Sequence, residues 1–208
     1  MTKLRIGTRG SALALKQAEM IQSELKKAFP LLETELVILK TKGDKITDRP
    51  LYAIGGKGLF ITEFEEALKN NEIDIAVHSG KDLPAQMAKG LTVGAVPKRG
   101  DSRDVLVTLN GRKIAFGEKC VLGTGSLRRI EMARKIYKNA VFKNLRGNVN
   151  TRLKKLSDGE YDGIILACAG LERLGISKKD GFEFEYFDEK KFVPAACQAI
   201  IAIQCREN

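Results

Sequence analysis

Residues 74–84 read DIAVHSGKDLP and join a short apolar run to a dense polar segment. Ile75–Val77 predicts a buried strand, and an imidazole, a hydroxyl, an ammonium and a carboxylate follow it before a proline. Open α/β sheets bind ligands in the crevice beyond the carboxyl ends of their strands. The stretch therefore predicts either a ligand site at a strand end or an ordinary solvated exit loop with a Lys–Asp pair, since short polar loops are common.

Strands and helices are predicted to alternate on both sides of this stretch. Leu4–Thr8 favours a strand, and Ser11 is a suitable N-cap for the helix that follows. Apolar residues at helical spacing predict one buried face for that helix, made of Ala14, Ala18, Ile21, Leu25 and Ala28. The alternation restarts after residues 97–104, a charged and turn-rich segment typical of a crossing between domains. Together these patterns predict α/β units with largely parallel sheets.

Composition narrows the functional classes. The 208 residues suit one large domain or two of about 100 residues each. The 36 basic and 26 acidic side chains give a net charge of +10, which implies an anionic partner: a nucleic acid, an acidic membrane surface, or a polycarboxylate or phosphate ligand. No apolar run approaches the ~20 residues of a membrane span, and the start does not resemble a signal peptide, so we expect a cytoplasmic protein. Four cysteines without C-x-x-C spacing and a single histidine predict no metal site.

Residues 41–58 form a long run without a periodic pattern, and they end in the glycine-rich segment GGKG at 55–58. Runs of this length are usually lids or binding loops. A phosphate-binding loop is the obvious rival, but Lys57 is followed by Gly58 instead of Ser or Thr, and no strand precedes the segment. We therefore expect a mobile cationic flap that carries Lys57.

Arginines of the second half lie at or near predicted strand ends and helix starts: Arg128, Arg129, Arg146 and Arg152. Arginine in such a position is suited to bidentate bonds with carboxylates or phosphates. Any one of these side chains taken alone is more simply a surface charge. The group of four predicts an anion-binding cleft.

Motifs in a fixed order from residue 4 to residue 206 resemble the porphobilinogen deaminase (hydroxymethylbilane synthase) family. In the first half they are RGSALAL at 9–15, TKGD at 41–44, GGKGLF at 55–60, DIAVHS at 74–79, KD at 81–82, RGD at 99–101 and RD at 103–104. In the second half they are GT at 123–124, SLRR at 126–129, LRGN at 145–148, TRL at 151–153, AGL at 169–171, RLG at 173–175, Gln198, and CR at 205–206.

The resemblance implies a fold of two periplasmic-binding-protein-like (type II) domains with a cleft between them. Domain 1 would comprise residues 1–97 plus 193–208, and domain 2 residues 98–192. The family joins four porphobilinogen units head to tail, with release of ammonia, on a covalently held dipyrromethane primer. This activity belongs to tetrapyrrole and haem biosynthesis.

The resemblance also implies roles for individual residues. Asp82 would stabilise the cationic azafulvene that forms when ammonia leaves, because a preorganised opposite charge lowers the barrier. Lys81 and Gln198 would accompany it in catalysis, and Asp82 would be the one carboxylate in a basic cleft. The residues expected to bind acetate and propionate side chains are Arg9, Ser11, Lys57, Ser79, Lys81, Thr124, Ser126, Arg128, Arg129, Arg146, Arg152 and Arg173.

Several positions depart from the family pattern. The small third domain of the family, whose cysteine anchors the primer, is not expected within these 208 residues. Gly80 stands where the family usually has Met, Gly125 where it usually has Ser, and ACQA at 196–199 where it usually has x-Gly-Gln-Gly. Cys197 is thus a candidate for attaching the primer, although a thiol in a partly apolar turn is more often inert packing.

Three kinds of function remain open at this level. The first is a transferase of the deaminase type, either alone or as one part of a split enzyme with a separately supplied third domain or a downstream haem-pathway enzyme as partner. The second is a non-catalytic two-domain module for an anionic pyrrole or another polycarboxylate. The third is a nucleic-acid binder, which the charge alone suggests. We do not expect the third, since the sequence shows no aromatic stacking platform and the acidic pyrrole chain accounts for the positive charge.

Overall fold

The computed structural model describes residues 3–41, 43 and 61–207. Most of the expected flap, with Lys57, lies outside the described residues. The described chain divides into two compact units. Unit 1 comprises residues 3–41, 43, 61–100 and 199–207, and unit 2 comprises Asp101–Gln198. Each contains a five-stranded mixed sheet, which confirms the α/β prediction.

Unit 1 is a sheet of the order β2-β1-β3-β10-β4, with strands numbered along the whole chain. Its strands are β1 (Leu4–Arg9), β2 (Thr34–Leu39), β3 (Ile75–Ser79), β4 (Leu91–Ala95) and β10 (Ile201–Arg206). Its helices are α1 (Ala12–Ala28) and α2 (Thr62–Lys69), and one 3-10 turn, Gly80–Asp82, follows β3. Strand β10 is antiparallel to both of its neighbours, while β1 is parallel to β2 and β3. The apolar run Ala199–Cys205 predicts a last strand, and the structure has this strand but begins it at Ile201.

Helix α1 begins as predicted, with the Ser11 side chain accepting a hydrogen bond from the Ala14 amide. Its buried face differs in part from the prediction. Gln17 is buried beside Ala18 and Ile21, whereas Ala28 is exposed. The apolar residues of α1 pack on one side of the sheet, and Phe64 and Leu68 of α2 pack on the other. Both faces of this largely parallel sheet are therefore covered, as parallel strands require.

Unit 2 repeats the arrangement with the order β7-β6-β8-β5-β9. Its strands are β5 (Asp104–Leu109), β6 (Val121–Gly123), β7 (Val141–Lys143), β8 (Gly163–Ala167) and β9 (Phe182–Tyr186). Its helices are α3 (Leu127–Arg134), α4 (Val149–Ser157) and α5 (Cys168–Arg173), with a 3-10 turn at Lys178–Asp180. Phe182–Phe187 alternates aromatic and acidic residues, which predicts a surface strand or an extended loop, and the structure forms a strand there. The sequence also predicts a helix from Leu127 to about Tyr137, but α3 ends at Arg134, about one turn earlier.

One strand of each sheet runs against the others and brings its first residue to the carboxyl ends of its parallel neighbours. In unit 1, Ile201 of β10 lies opposite Ser79, the last residue of β3. In unit 2, Asp104 of β5 lies opposite Ala167, the last residue of β8. Residues at the start of β5 and β10 therefore join the edge at which α/β sheets bind ligands.

At the opposite edge of the unit 1 sheet, the Asp74 carboxylate connects β1 to β10 through ion pairs with Arg5 and Arg206. Arg5 donates from Nε to Asp74 Oδ2 at 3.1 Å and from Nη2 to Oδ1 at 2.8 Å. Arg206 reaches the same carboxylate at 3.3 Å and donates to the carbonyls of Leu68 and Ile73. Hydrogen bonds from Arg5 are the main cause that lowers the pKa of Asp74 to about 2, with burial opposing them.

We predict that Asp74→Asn lowers the free energy of unfolding at pH 7 by about 1–2 kcal/mol, the range of a hydrogen-bonded ion pair that is partly exposed. Because the native pKa of about 2 lies below the ordinary 3.8, this stabilisation is complete above pH ~4 and is lost as the pH falls through 2. Urea titrations from pH 2 to 7 measure it. Asp158→Asn, which breaks a surface pair with Lys154, is the matched control. Equal effects of the two variants at pH 7 would contradict the prediction.

The segment before β10 holds two non-glycine residues in the left-handed region. Cys197 has φ 57° and Ala199 has φ 67°. This conformation costs roughly 1–2 kcal/mol for a residue with a Cβ atom. It explains why the family usually has glycine at these two positions.

We predict that Cys197→Gly raises the free energy of unfolding by about 0.5–1 kcal/mol, because relief of the strain outweighs the extra freedom of glycine in the unfolded chain. Cys197→Ala is the matched control, since it removes the exposed thiol but keeps the Cβ atom. Thermal or urea unfolding of the two variants measures the difference. A glycine variant no more stable than the alanine variant would count against strain at this position.

Candidate active site

The carboxyl ends of β1 and β3 carry the predicted site residues of unit 1. Because the two strands are parallel neighbours, Arg9 and Ser79 end at the same edge of the sheet. The 3-10 turn that follows β3 holds Lys81 and Asp82, and both side chains are exposed. The Gly80 amide fixes this turn by donating to the Ile200 carbonyl at 2.8 Å. Asp82 therefore projects from a turn that is anchored to the sheet.

Gln17 is a polar contact of this edge that the sequence analysis missed. It lies on the buried face of α1, and its Nε2 donates to Ser79 Oγ at 3.1 Å. The bond links α1 to the end of β3 and so holds the Ser79 hydroxyl at the site. A signal was present in the sequence: an amide one residue before Ala18, on a helical face otherwise made of alanine, isoleucine and leucine.

His78 precedes these groups but points into the core. Its Nε2 lies 3.1 Å from Gln204 Oε1, and its ring meets Phe64 edge-on at 4.9 Å. Burial lowers the pKa of His78 to about 4, the Gln204 hydrogen bond opposes this effect, and the Arg9 charge adds to it. The imidazole is neutral at pH 7 and serves as a buried packing and hydrogen-bonding group.

The predicted residues of unit 2 follow the parallel strands β6, β7 and β8. Thr124 and Ser126 follow β6, and Ser126 caps α3 by accepting a hydrogen bond from the Arg129 amide. Thr124 is buried and accepts from the Ser126 amide at 3.2 Å. These two hydroxyls thus shape the turn that places Arg128 and Arg129 in the first turn of α3.

The two arginines of α3 have different surroundings. The Arg129 side chain is buried, and its donors are engaged by Asp104 Oδ1 through Nε at 3.0 Å and Nη2 at 2.8 Å, and by the Ile165 carbonyl through Nη1 at 3.0 Å. Arg128 is partly exposed, with Nη1 2.7 Å from Asp104 Oδ2 and 2.6 Å from the Val193 carbonyl. Asp104 itself is fully buried.

Gln198 completes this cluster. Its Nε2 donates to Asp104 Oδ1 at 3.0 Å and to the Ser102 carbonyl at 2.7 Å. Burial raises the pKa of Asp104, but the charges of Arg129 and Arg128 and their hydrogen bonds, with that of Gln198, outweigh it and leave the pKa below its usual range. Asp104 thus places a second carboxylate among the arginines of unit 2, but it is fully buried, and Asp82 as the one carboxylate facing a basic cleft stays a prediction.

The remaining arginines follow β7 and β8. Arg146 lies in the loop after β7, and Arg152 on α4 donates from Nε to the Gly147 carbonyl at 2.7 Å. Gly147 has φ 112°, and a Cβ atom there would lie 2.8 Å from Thr151, so only glycine fits this turn. Arg173 ends α5, and burial lowers its pKa. All three arginines are half-buried, so each is partly packed against the protein and partly accessible to solvent.

One cluster of possible metal ligands occurs among the described residues. Asp101, Cys168 and Glu172 place one ligand atom each within 4.8 Å of one another. Arg103 already binds both oxygens of Asp101 through Nε, and burial with the nearby carboxylates raises the pKa of Cys168 to about 12. The cluster therefore presents a protonated thiol and a neutralised carboxylate, and it forms an internal polar contact.

The described fold is similar to the folds of several solved proteins. One similar solved structure is CbnR, a LysR-family transcriptional regulator, with a TM-score of 0.56 and 12% identity over 99% of this chain and 64% of that one. Another is the BenM effector-binding domain with benzoate, with a TM-score of 0.55 and 14% identity over 99% of this chain and 84% of that one. The periplasmic aliphatic sulphonate binding protein SsuA from Escherichia coli is a third (0.53, 16%, 99% and 61%). These likenesses show a periplasmic-binding-protein-like type II fold.

The chain belongs to the porphobilinogen deaminase family. The family model for "porphobilinogen deaminase, dipyromethane cofactor binding domain" matches residues 4–208. Porphobilinogen deaminase of Syntrophobacter fumaroxidans is 48% identical over 98% of this chain and 65% of its own length. The Bacillus subtilis protein of the same name is 43% identical over 100% of this chain and 66% of its own. The chain thus spans about two thirds of the length of these relatives.

Each unit, taken by itself, carries donors that fit the carboxylate groups of a dipyrromethane. Guanidinium, hydroxyl and amide donors at helix starts are the groups that bind carboxylate side chains. Within the described part of the chain, the contacts of Arg128 use Nη1 and the guanidinium face, which leaves Nε and Nη2 for a ligand. Cys197 is exposed, and its role in attachment stays a prediction. Among the described residues, no helix is long and apolar enough to cross a membrane.

Gly125 limits the space beside this donor set. A Cβ atom at this position would lie 3.0 Å from the Leu145 carbonyl oxygen and 3.4 Å from Asn144 Oδ1. We predict that Gly125→Ala costs about 1 kcal/mol of stability through this crowding. We expect Gly125→Ser to bind a polycarboxylate about tenfold tighter than Gly125→Ala does, because its hydroxyl adds a charge-assisted donor.

The matched pair Gly125→Ser and Gly125→Ala isolates the hydroxyl, since both variants carry the Cβ atom. Fluorescence anisotropy of uroporphyrin I, a macrocycle whose pyrrole rings bear acetate and propionate groups, measures the affinity. Equal affinity of the two variants would show that a hydroxyl at 125 does not reach a ligand carboxylate.

Proposed function

We propose that the chain binds porphobilinogen and the growing pyrrole chain and takes part in their head-to-tail condensation with release of ammonia. The observation that supports this most is the position of Asp82, exposed on an anchored turn at the carboxyl end of the unit 1 sheet. Asp82 is the acidic side chain among the predicted site residues at the ends of β1 and β3 and just after them, which otherwise are Arg9, Ser11, Ser79 and Lys81. A cytoplasmic location is part of the proposal.

Asp82 would act through its charge. Loss of ammonia from the aminomethyl group of porphobilinogen leaves a cation delocalised over the pyrrole, and a fixed carboxylate beside it stabilises both the cation and the transition state that leads to it. The same carboxylate can accept a hydrogen bond from the pyrrole N–H. Lys81, next to it in the turn, is suited to pair with an acetate or propionate group and so to fix the substrate's orientation.

The basic residues would hold the side chains of the pyrroles. Each pyrrole brings two carboxylates, so each addition makes the bound chain more anionic. Arg9 and Ser11 at the start of α1 and Arg128 at the start of α3 combine side-chain donors with helix N-termini, an arrangement that favours anions. Dipyrromethane, when bound, would supply the pyrrole carbon to which the first unit is joined.

We predict that Asp82→Asn lowers the rate of ammonia release from porphobilinogen at least about 100-fold, the scale of a lost electrostatic stabiliser, with little change in KM. The assay follows ammonia and uroporphyrin in the complete purified protein. Asp180→Asn is the matched control, since Asp180 also ends a lysine-containing 3-10 turn, Lys178–Asp180.

Two outcomes would count against the proposal, one against the activity and one against the role of Asp82. Saturable binding of porphobilinogen without ammonia release by the wild-type protein would favour the two-domain binding module. Full activity of Asp82→Asn would remove the carboxylate from the mechanism.

A further inference from the structure

Asp104 is a buried carboxylate to which the family resemblance assigned no role. It begins β5, and the antiparallel course of β5 brings it to the carboxyl end of β8, opposite Ala167. Its side chain has no exposed surface. An ionised carboxylate in such a place is strongly destabilising unless it is paired and hydrogen-bonded. Its partners therefore show what it does.

Three of the predicted site residues converge on this one side chain. Arg129 and Gln198 bind Oδ1, and Arg128 binds Oδ2. The cluster holds two guanidinium groups and one carboxylate, so it carries one net positive charge. That charge is located on the exposed side, because Arg128 has 24% of its side-chain surface exposed and Arg129 has 8%.

The contacts of Arg128 also determine which guanidinium nitrogens remain for a ligand. Its Nη1 is held by Asp104 Oδ2 and the Val193 carbonyl, and its guanidinium lies 6.0 Å from the Phe192 ring centroid. Among the described residues no contact uses Nε or Nη2. These two donors form the side of the guanidinium that pairs with both oxygens of a carboxylate. A side chain that would otherwise sample many rotamers is thus fixed with its bidentate edge open.

We propose that Asp104 is a positioning residue of the carboxylate site: it neutralises Arg129 in the interior and orients Arg128 so that its Nε–Nη2 edge binds an acetate or propionate group. Arg129 then holds Asp104 in place, and its side-chain donors bind acceptors inside the protein. Gln198 acts in the same way, by linking Asp104 to the Ser102 carbonyl. This inference rests on the proposed function for the identity of the ligand.

A double-mutant cycle on uroporphyrin I affinity tests the proposal. The variants are Arg128→Gln, Asp104→Asn and the two combined, measured by fluorescence anisotropy. We expect each single variant to weaken binding about tenfold, the loss of one bidentate charge-assisted pair. The combined variant should bind as each single one does, because Asp104 acts through Arg128. If Asp104 were purely structural, the affinity losses of the two single variants would multiply in the combined variant, and this result would overturn the proposal.

Asp104→Asn leaves Arg129 buried without its counter-charge, so the variant is expected to be less stable and can fail to fold. Asp104→Asn combined with Arg129→Met removes one buried charge of each sign and is expected to fold. We expect this variant to lose the same tenfold in affinity. Wild-type affinity in this folded variant would overturn the proposal, and so would a wild-type protein that does not bind the probe.

Asp101→Asn is the matched control. It breaks the ion pair of Asp101 with Arg103 in the same crossing segment but leaves Asp104, Arg128 and Arg129 untouched. We expect it to alter stability without changing affinity, and a tenfold loss here would overturn the assignment to Asp104.

Failure of this inference is distinguishable from failure of the proposed function. Non-additive affinities in a protein that releases no ammonia would keep Asp104 as a positioning residue and reject the enzyme. Ammonia release by a protein in which the affinity losses of the two single variants multiply would keep the enzyme and reject Asp104 as a positioning residue.

Discussion

Two guanidinium groups share one buried carboxylate in unit 2, and the basic edge of that unit depends on this pairing. Arg129 is placed in the interior, where an unpaired cation would cost several kcal/mol. Asp104 offsets that cost and is in turn kept ionised by Arg129 and Arg128. Because the cluster retains one net positive charge, the same interaction that makes the interior tolerable also supplies the cation of the proposed carboxylate site. The proposal thus links stability and ligand binding through a single side chain.

The sheet topology explains how such a carboxylate reaches the site. Each unit has a set of parallel strands whose carboxyl ends meet at one edge, and one antiparallel strand whose first residue joins them. In unit 2 that first residue is Asp104, while in unit 1 the corresponding strand begins at Ile201, and Ile200 just before it anchors the turn that carries Asp82. The segment at the start of the antiparallel strand therefore contacts candidate site residues in both units, once through a side chain and once through the backbone.

The sequence predicted the α/β class well because periodicity and turn residues are local signals. Apolar runs predicted strands β1 and β3 to within two residues, and Ser11 marked the start of α1. Strand direction is not a local signal, so the antiparallel course of β5 and β10 was not foreseen. The end of α3 was placed too late because Ile136 and Tyr137 continue the apolar pattern, although the Ile136 amide donates to the carbonyl of Ala133, three residues back instead of four.

The sequence offered candidate site residues by type, but it did not predict which of them are buried. Arg128 and Arg129 read alike in the sequence, yet consecutive helical residues point about 100° apart, and one faces the core while the other does not. Asp104 and Gln17 were missed because a polar residue beside an apolar run is usually exposed. Their burial depends on partners distant in the chain, 25 residues away for Asp104 and Arg129.

The most direct test of the central claim is intact-mass measurement of the complete protein after brief incubation with porphobilinogen. We expect a ladder of adducts, each heavier than the last by one porphobilinogen less one ammonia, which is absent in Asp82→Asn and present in Asp180→Asn. A wild-type spectrum without added pyrrole units, under conditions in which porphobilinogen binds, would contradict the proposed condensation.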